Sequence, residues 1–138
     1  MKNIKIIEVP SEIGAGTRGA SLGIEAIKIA ALDFMSNFFV HFPSEKVQVE
    51  NQLLFEPIQS PYAKRINGIL TLYDRVSKAV KDTIKNNFFP VVISGDHSTA
   101  GGTIAGIKMA KPGSRLGVIW IDAHSDLHTP FTTPSGNM

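Results

Sequence analysis

The chain has 138 residues, of which 43% are hydrophobic, and it contains no cysteine. This length suits one domain with its own core, and the lack of cysteine excludes disulfides and thiol chemistry and fits a cytoplasmic protein. The formal net charge is only +2, with no basic stripe to suggest nucleic acid and no apolar run of about 18 residues to span a membrane.

The first predicted strand covers residues 4–9 and ends at Pro10. Residues 14–19 then match G-x-G-x-x-G, the dinucleotide-binding fingerprint. In a true fingerprint the first glycine closes the strand, whereas residues 10–13 intervene here, and the acid expected about 20 residues further on is displaced to Glu50. We interpret the segment as a glycine-rich loop bordering an active site and retain a nucleotide-binding module as the alternative.

The next stretch predicts a helix, a connection and a strand. Apolar residues at near-helical spacing indicate a helix over residues 22–34. Residues 37–43 are expected to be a connection, in which His41 is packed or exposed and does not bind metal. Residues 46–50 alternate polar and apolar, with Val47 and Val49 on one side, which predicts a half-covered strand at a sheet edge.

The longest predicted helix begins at Ser60 and Pro61, which match a cap and a first-turn proline, and runs to about Asn86. Its apolar residues recur at helical spacing, which indicates core packing. They are Ile66, Ile69, Leu70, Tyr73, Val76, Val80 and Ile84.

Residues 89–93 and 116–121 form continuous apolar runs, as expected of strands covered on both faces. Residues 98–109 between them predict a helix that contains Gly101, Gly102 and Gly106. Glycines lower helix stability, so we expect these three to permit close backbone packing. The order β-α-β-α-β-α-β predicts an α/β fold with three α-β-α layers and a parallel sheet.

Metal-competent side chains follow both of these strands. His97 follows the first, and Asp122, His124 and Asp126 follow the second, at the carboxyl ends where ligands collect in parallel sheets. On a continuing strand the two aspartates would stand about 13 Å apart, so the backbone must curl after Asp122 if all three bind one centre. Carboxylates and imidazoles without thiolate suit manganese or zinc.

A purely structural interpretation of these residues stays open. Asp96 and Ser98 are both good caps for the helix that follows, and a lone polar residue after a strand is commonly a turn residue. A catalytically inert α/β domain is therefore the second alternative.

The chain resembles the arginase-type ureohydrolases, a family that includes arginase, agmatinase and formimidoylglutamase. The motifs that carry the resemblance are G-D-H-S at residues 95–98 and D-A-H-S-D at residues 122–126, together with the early G-A-G-T-R-G-A-S-L-G. The segment T-P-F-T-T-P-S-G-N at residues 129–137 is similar to the substrate loop of the arginase branch rather than that of agmatinase.

This resemblance implies a pair of Mn²⁺ ions. His97, Asp122 and Asp126 would be ligands of the first ion and Asp122 and His124 of the second, so that Asp122 bridges the two. Asp126 would also act in catalysis, by accepting a hydrogen bond from the attacking hydroxide. Asp96 would not bind the metal itself but would orient the residues that do.

The resemblance also implies a small guanidino substrate, with arginine converted to ornithine and urea. Thr133, Ser135 and Asn137 would hold its α-carboxylate and α-amino groups, while His128 stands where the family has asparagine. Neither nucleic acid nor membrane is expected as a partner, and family members are homo-oligomers.

Finally, the resemblance implies that residues 1–138 are the N-terminal part of a single larger domain with eight strands. Strands from a second half would separate the third and fourth strands. An Asp-x-Asp motif and a proton-shuttling histidine would lie beyond Met138, and we therefore expect this chain alone to be inactive.

Overall fold

The computed structural model describes residues 3–137 and contains a parallel sheet of three strands in the order β2-β1-β3. Ile7 at the centre of the sheet lies beside Glu45 of β2 and Val92 of β3. The strands are β1 (Ile4–Val9), β2 (Ser44–Lys46) and β3 (Phe89–Ser94).

The edge position predicted for β2 is confirmed, but the predicted bounds, residues 46–50, are wrong. The strand ends at Lys46, and only the N–H of Val47 still bonds to the sheet, at Glu8 O. The chain then leaves the sheet because the next residues enter a 3-10 helix, Asn51–Phe55. Val47 is nevertheless buried and Val49 packs against the core. The alternation of polar and apolar residues therefore predicted correctly which side chains face the core.

Helices follow the strands largely as expected. The predicted connection after α1 contains one short helix, α2, in which His41 is exposed. The helices are α1 (Leu22–Asp33), α2 (Phe38–His41), α3 (Ile66–Lys85) and α4 (Ala100–Ala110), with a 3-10 turn, His97–Thr99, before α4.

The core lies between one face of the sheet and α3. Ile7 and Val9 of β1 are fully buried there against Leu72 and Val76. Because side chains alternate along a strand, Glu8 points to the opposite face, where its carboxylate accepts a hydrogen bond of 2.8 Å from Lys28 Nζ on α1. Helices therefore flank both faces, which confirms the three-layer α/β fold.

Helix α3 begins at Ile66, five residues later than its predicted first-turn proline. Arg65, the residue before it, has a left-handed φ of 57° that ends the preceding turn. Lys64 donates its backbone N–H to Gly136 O at 2.8 Å. A long-range contact thus prevails over the local Ser60–Pro61 signal. Leu70 is also 53% exposed and does not belong to the buried stripe.

The glycines of α4 lie against α3, as predicted. A Cβ on Gly106 would stand 2.6 Å from Ser77 O and 2.7 Å from Val80 Cβ, and one on Gly101 would stand 2.6 Å from the Tyr73 ring. These distances are shorter than van der Waals contact. Glycine is therefore what allows the two helices to approach this closely.

The predicted buried strand at residues 116–121 is wrong. The segment has no regular secondary structure and pairs with no strand in the described part of the chain, and Ile119 and Ile121 are 90% and 93% exposed. A strand requires a neighbour for its ladder hydrogen bonds, and within residues 3–137 only β1 pairs with β3. The apolar side chains of this segment favour burial, but no described element packs over them closely enough to bury them.

No helix within residues 3–137 combines the length and the apolar character that crossing a bilayer requires.

Candidate metal centre and substrate cleft

The first metal-competent side chain is positioned by the turn that follows β3. Gly95 packs so closely on Ser11 O that a side chain there would collide with it. Asp96 caps the 3-10 turn by accepting a hydrogen bond from the backbone N–H of Ser98. The turn leaves the His97 side chain 54% exposed at the carboxyl end of the sheet. Both the capping interpretation of Asp96 and a ligand position for His97 thus fit the geometry.

Asp122 and Asp126 meet His97 across this edge. His97 Nδ1 lies 3.5 Å from Asp122 Oδ2 and 3.8 Å from Asp126 Oδ2, and one ligand atom from each residue lies within 4.8 Å of the others. The backbone curls after Asp122, as the spacing required, and Asp126 has a left-handed φ of 51°. Aspartate tolerates this region better than most residues do.

These separations fit one cation. Two ligand atoms that each bind an ion at about 2.0–2.2 Å lie about 3.0–4.3 Å apart, depending on the angle between them. The two distances from His97 fall inside that range. One imidazole nitrogen and two carboxylate oxygens form a donor set that suits Mn²⁺ or Zn²⁺, so the residues present fit the metal that the resemblance implies.

The fourth predicted ligand, His124, lies beside Asp122 but outside this group of three. Its Nδ1 is 3.4 Å from Asp122 Oδ1, and its backbone N–H donates to the same oxygen at 2.8 Å. That N–H and the imidazole of His97 hold the pKa of the Asp122 carboxyl below its ordinary value of 3.8, against the opposing effect of desolvation. Asp122 is therefore ionised at neutral pH, with one histidine facing each oxygen.

The predicted orienting residue, Asp96, accepts hydrogen bonds from backbone N–H groups and from the Ser98 hydroxyl rather than from a ligand side chain. Its Oδ1 accepts hydrogen bonds from Ser98, and its Oδ2 accepts one of 3.1 Å from the N–H of Gly14. Within residues 3–137 none of its hydrogen bonds reaches the three clustered ligand side chains. It connects the turn that carries His97 to the glycine-rich loop.

A second carboxylate holds the other end of that loop. Glu12 is 1% exposed, and its Oε1 accepts hydrogen bonds from the N–H groups of Gly19 and Ser21 and from the Ser21 hydroxyl. The loop amides that would bind a pyrophosphate in a dinucleotide fold are thus occupied by internal carboxylates. The loop borders the site, as we interpreted it, and its geometry argues against the nucleotide-binding alternative.

A cleft of about 600 Å³ joins two of the metal-competent residues, His97 and Asp126, to the predicted substrate residues, whereas Asp122 and His124 line a separate pocket. Asp96, His97 and Asp126 line one part of it, and Gly14 and Ala15 of the glycine-rich loop form an edge. All four residues predicted to bind substrate line the rest: His128, Thr133, Ser135 and Asn137.

The hydrogen bonds of these residues show which groups are free for a ligand. Thr133 Oγ1 accepts from the N–H of Gly136 at 3.0 Å, and Ser135 Oγ accepts from the N–H of Asn137 at 3.1 Å. Each hydroxyl proton therefore remains available to donate. Asn137 is anchored through Nδ2 to Ala15 O at 3.0 Å, so it joins the loop that contains it to the glycine-rich loop.

His128 lies in the cleft wall, with its Nδ1 3.3 Å from the hydroxyl of Thr132. That contact holds the ring against the turn at residues 129–132. The structure therefore places His128 in the same cleft as the other three residues predicted to bind substrate, but in contact with its own loop.

Three residues of the site were missed from the sequence. Tyr62 lines the cleft, although we had assigned its segment to a helix. Trp120 donates from Nε1 to Asp126 Oδ2 at 3.1 Å, although we had read it as a buried strand residue. Glu12, which holds the loop, carries no local signal that separates it from an ordinary surface acid.

The chain is similar to arginases over its whole length. Residues 2–138 match the family model described as "Arginase family". The arginase of Brevibacillus brevis is 36% identical over 148 aligned positions, and that of Bacillus subtilis is 35% identical over 146. Each alignment covers 99% of this chain and 45% of the relative.

Solved arginase structures have the same fold. The native Bacillus caldovelox arginase superimposes with a TM-score of 0.78 at 34% identity and covers 99% of this chain. The Entamoeba histolytica arginase in complex with L-ornithine gives 0.83 at 26% identity and covers 99%. The chain spans 46% and 47% of those two structures, which is less than half of their length.

Proposed function

Since the chain belongs to the arginase family, we propose that it supplies part of a two-manganese site that hydrolyses arginine to ornithine and urea. The observation that carries this proposal is the cleft of about 600 Å³ that places His97 and Asp126 in the same space as the substrate loop. A catalytic centre and a pocket for its substrate must be contiguous. His97, which is distant from the substrate loop in the sequence, and Asp126, which directly precedes it, both meet this requirement.

The arrangement around Asp122 supports a bridging role for its carboxylate. Its Oδ2 faces His97 at 3.5 Å and its Oδ1 faces His124 at 3.4 Å. Two ions, each held by one histidine, would therefore share the one aspartate. When bound, such ions lower the pKa of a water molecule toward 7 and polarise the guanidinium carbon of the substrate.

The remaining roles belong to side chains of this chain. Asp126 uses Oδ2 toward His97 and Trp120, and within the described residues its Oδ1 takes no hydrogen bond. That oxygen is free to accept a hydrogen bond from the attacking hydroxide. The free hydroxyl protons of Thr133 and Ser135 suit an α-carboxylate, which only accepts hydrogen bonds. This preference for an acceptor favours arginine over agmatine.

Calorimetric titration with Mn²⁺ tests the proposal. We expect weak binding to the wild-type chain, and no measurable binding to Asp122→Ala, because Asp122 faces both histidines. His97→Ala should also abolish binding. His41→Ala is the matched control, since this exposed histidine lies on α2, and it should bind like the wild type.

Three outcomes of this titration are informative. Unchanged Mn²⁺ affinity in both site variants would show that the metal assignment is wrong. Absence of binding to the wild type would favour the inert domain. Binding of NAD instead of Mn²⁺ would favour the nucleotide-binding alternative. It would also show that the hydrogen bonds between internal carboxylates and the N–H groups of residues 14–21 do not prevent nucleotide binding.

A further inference from the structure

We propose that Trp120 is a positioning residue of the metal centre, which holds the Asp126 carboxylate through its indole N–H; this inference rests on the proposed function. Trp120 Nε1 donates to Asp126 Oδ2 at 3.1 Å. The same indole packs edge-to-face on the imidazole of His97, with ring centroids 6.2 Å apart and an interplanar angle of 62°. One side chain thus contacts two predicted ligands that belong to separate parts of the chain.

The position of Trp120 within its segment explains why such a contact is needed. Residues 116–121 form no strand, so no ladder of backbone hydrogen bonds fixes the aspartates that follow. Ile119 and Ile121 point into solvent at 90% and 93% exposure, whereas Trp120 is 46% exposed. Trp120 and Val118 share a cleft with side chains of β3 and α4, among them Val92 and Ile104. Trp120 is therefore the residue through which this segment reaches the turn that carries His97.

The indole contact is compatible with metal binding at the same carboxylate. A carboxylate oxygen has two lone pairs, so Asp126 Oδ2 can accept the indole hydrogen and still face His97 Nδ1, which lies 3.8 Å away. Ligating carboxylates are commonly fixed by a further hydrogen bond, and loss of that bond typically lowers metal affinity about 10–100-fold. Phe at position 120 would retain an aromatic edge toward His97 but could not donate.

The sole tryptophan of the chain provides a direct spectroscopic test. Its indole gives a single ¹H–¹⁵N cross-peak, which needs no further assignment. We expect this peak to shift in Asp126→Ala and during titration of the wild type with diamagnetic Zn²⁺, and to broaden with paramagnetic Mn²⁺. Asp33→Ala, at the exposed end of α1, is the matched control and should leave the peak in place.

Metal affinity provides the second test. We expect Trp120→Phe to weaken Mn²⁺ binding about 10–100-fold by calorimetry, with an unchanged midpoint of thermal unfolding because the indole is half exposed. Phe131→Leu, at an aromatic residue that is 97% exposed, should bind Mn²⁺ like the wild type. A role in folding alone would lower the unfolding midpoint of Trp120→Phe and leave the wild-type indole peak insensitive to Zn²⁺.

The failure of this inference differs from the failure of the proposed function. If the wild type binds Mn²⁺ and Trp120→Phe binds it equally well, Trp120 has no positioning role and the proposed function stands. An indole peak that does not respond to Asp126→Ala overturns the inference whatever the metal does. If the wild type binds no Mn²⁺, the proposed function fails and this inference fails with it.

Discussion

At the scale of single residues, buried carboxylates organise the loop that borders the cleft. Glu12 is 1% exposed, accepts three hydrogen bonds through Oε1, and has Arg18 Nε 3.3 Å from its Oε2. Burial raises the pKa of the Glu12 carboxyl, but the hydrogen bonds from Ser21 and Gly19 and the charge of Arg18 outweigh it, so the pKa lies below its ordinary value of 4.5. The ionised form is therefore the one that the fold stabilises.

Replacement of this carboxylate should destabilise the chain. We expect Glu12→Gln to lower the free energy of unfolding by about 1–3 kcal/mol, because the amide group cannot accept all of these hydrogen bonds and leaves buried donors unpaired. Urea denaturation at neutral pH measures the change. Glu56→Gln, at an exposed glutamate, is the control and should differ little from the wild type. An equal effect of the two substitutions would contradict the role of Glu12.

The pH dependence of stability has a definite sign. The folded-state pKa of Glu12 is depressed, so its contribution is complete above the ordinary value of 4.5 and is lost as the pH falls through the folded-state pKa. We expect the wild type to lose stability in this acid range more steeply than Glu12→Gln does. Urea midpoints of the two proteins across that range provide the measurement, and parallel curves would show that Glu12 is not the group responsible.

At the residue level, the sequence indicated which polar side chains converge where residue type and position in the chain coincided. His97, Asp122 and Asp126 were visible because rare polar types directly follow apolar runs. Glu12 and Trp120 could not be found in this way, because the role of each is a contact with residues that lie elsewhere in the chain or around a curl of the backbone. A local pattern gives the type of a side chain but not its partner.

At the scale of elements, hydrophobic periodicity located α1, α3 and α4 but not every boundary. The start of α3 was wrong because the backbone at Lys64 bonds to Gly136, and a turn signal contains no information about such a distant acceptor. The strand at residues 116–121 was wrong for a related reason. Its apolar side chains favour a sheet, but strand formation also needs a neighbouring edge.

The contact between α3 and α4 predicts opposite effects on stability for two glycine-to-alanine substitutions. Gly106→Ala should destabilise the chain by about 1–3 kcal/mol, because the new methyl group would meet Ser77 O at 2.6 Å and the helices must separate. Gly23→Ala on α1, where no atom lies within 4 Å of the added Cβ, should instead stabilise it by about 0.5–1 kcal/mol. Thermal unfolding of both variants measures the difference. A stabilising Gly106→Ala would mean that α4 does not pack as described.

At the scale of the whole molecule, the chain covers about 45% of the length of the arginases it matches. Its described residues bring together three candidate metal ligands, one neighbouring histidine and the predicted substrate loop. The fold class and the position of the site at the carboxyl ends of the strands could be predicted from the sequence. Within the described residues one edge of β3 has no partner strand; the residues of β3 do not predict this by themselves, and only the family resemblance implied it, because strands of a second half would lie between the third and fourth strands.

We expect the 138-residue chain to release no measurable urea from arginine with Mn²⁺ present. The proposed mechanism needs two ions about 3.5–4 Å apart, whereas His124 is the only ligand besides Asp122 that the described residues offer to the second ion. General acid assistance to the leaving amine, worth about 10²–10⁴-fold, also has no candidate among these ligands. A colorimetric urea assay on material of verified intact mass gives the answer, and clear turnover would contradict this expectation.

A fusion of this chain with the second half of a related arginase should prefer arginine to agmatine. We expect fusion of this chain to the remaining portion of the Bacillus subtilis arginase to restore turnover, with a higher kcat/KM for arginine. The hydroxyls of Thr133 and Ser135 would lose their acceptor with agmatine, at about 1–3 kcal/mol for each unpaired group. Thr133→Val should reduce the ratio of kcat/KM for arginine to kcat/KM for agmatine. A fusion that hydrolyses agmatine faster would show that the substrate loop is misassigned.

The exposed segment at residues 116–121 has a further consequence for the chain inside a cell. These six residues contain neither a charged side chain nor a proline. Short apolar segments of this kind self-associate through backbone hydrogen bonds when they are accessible. Chaperones and proteases recognise the same feature, so the steady-state abundance of the chain should depend on how quickly this segment is covered.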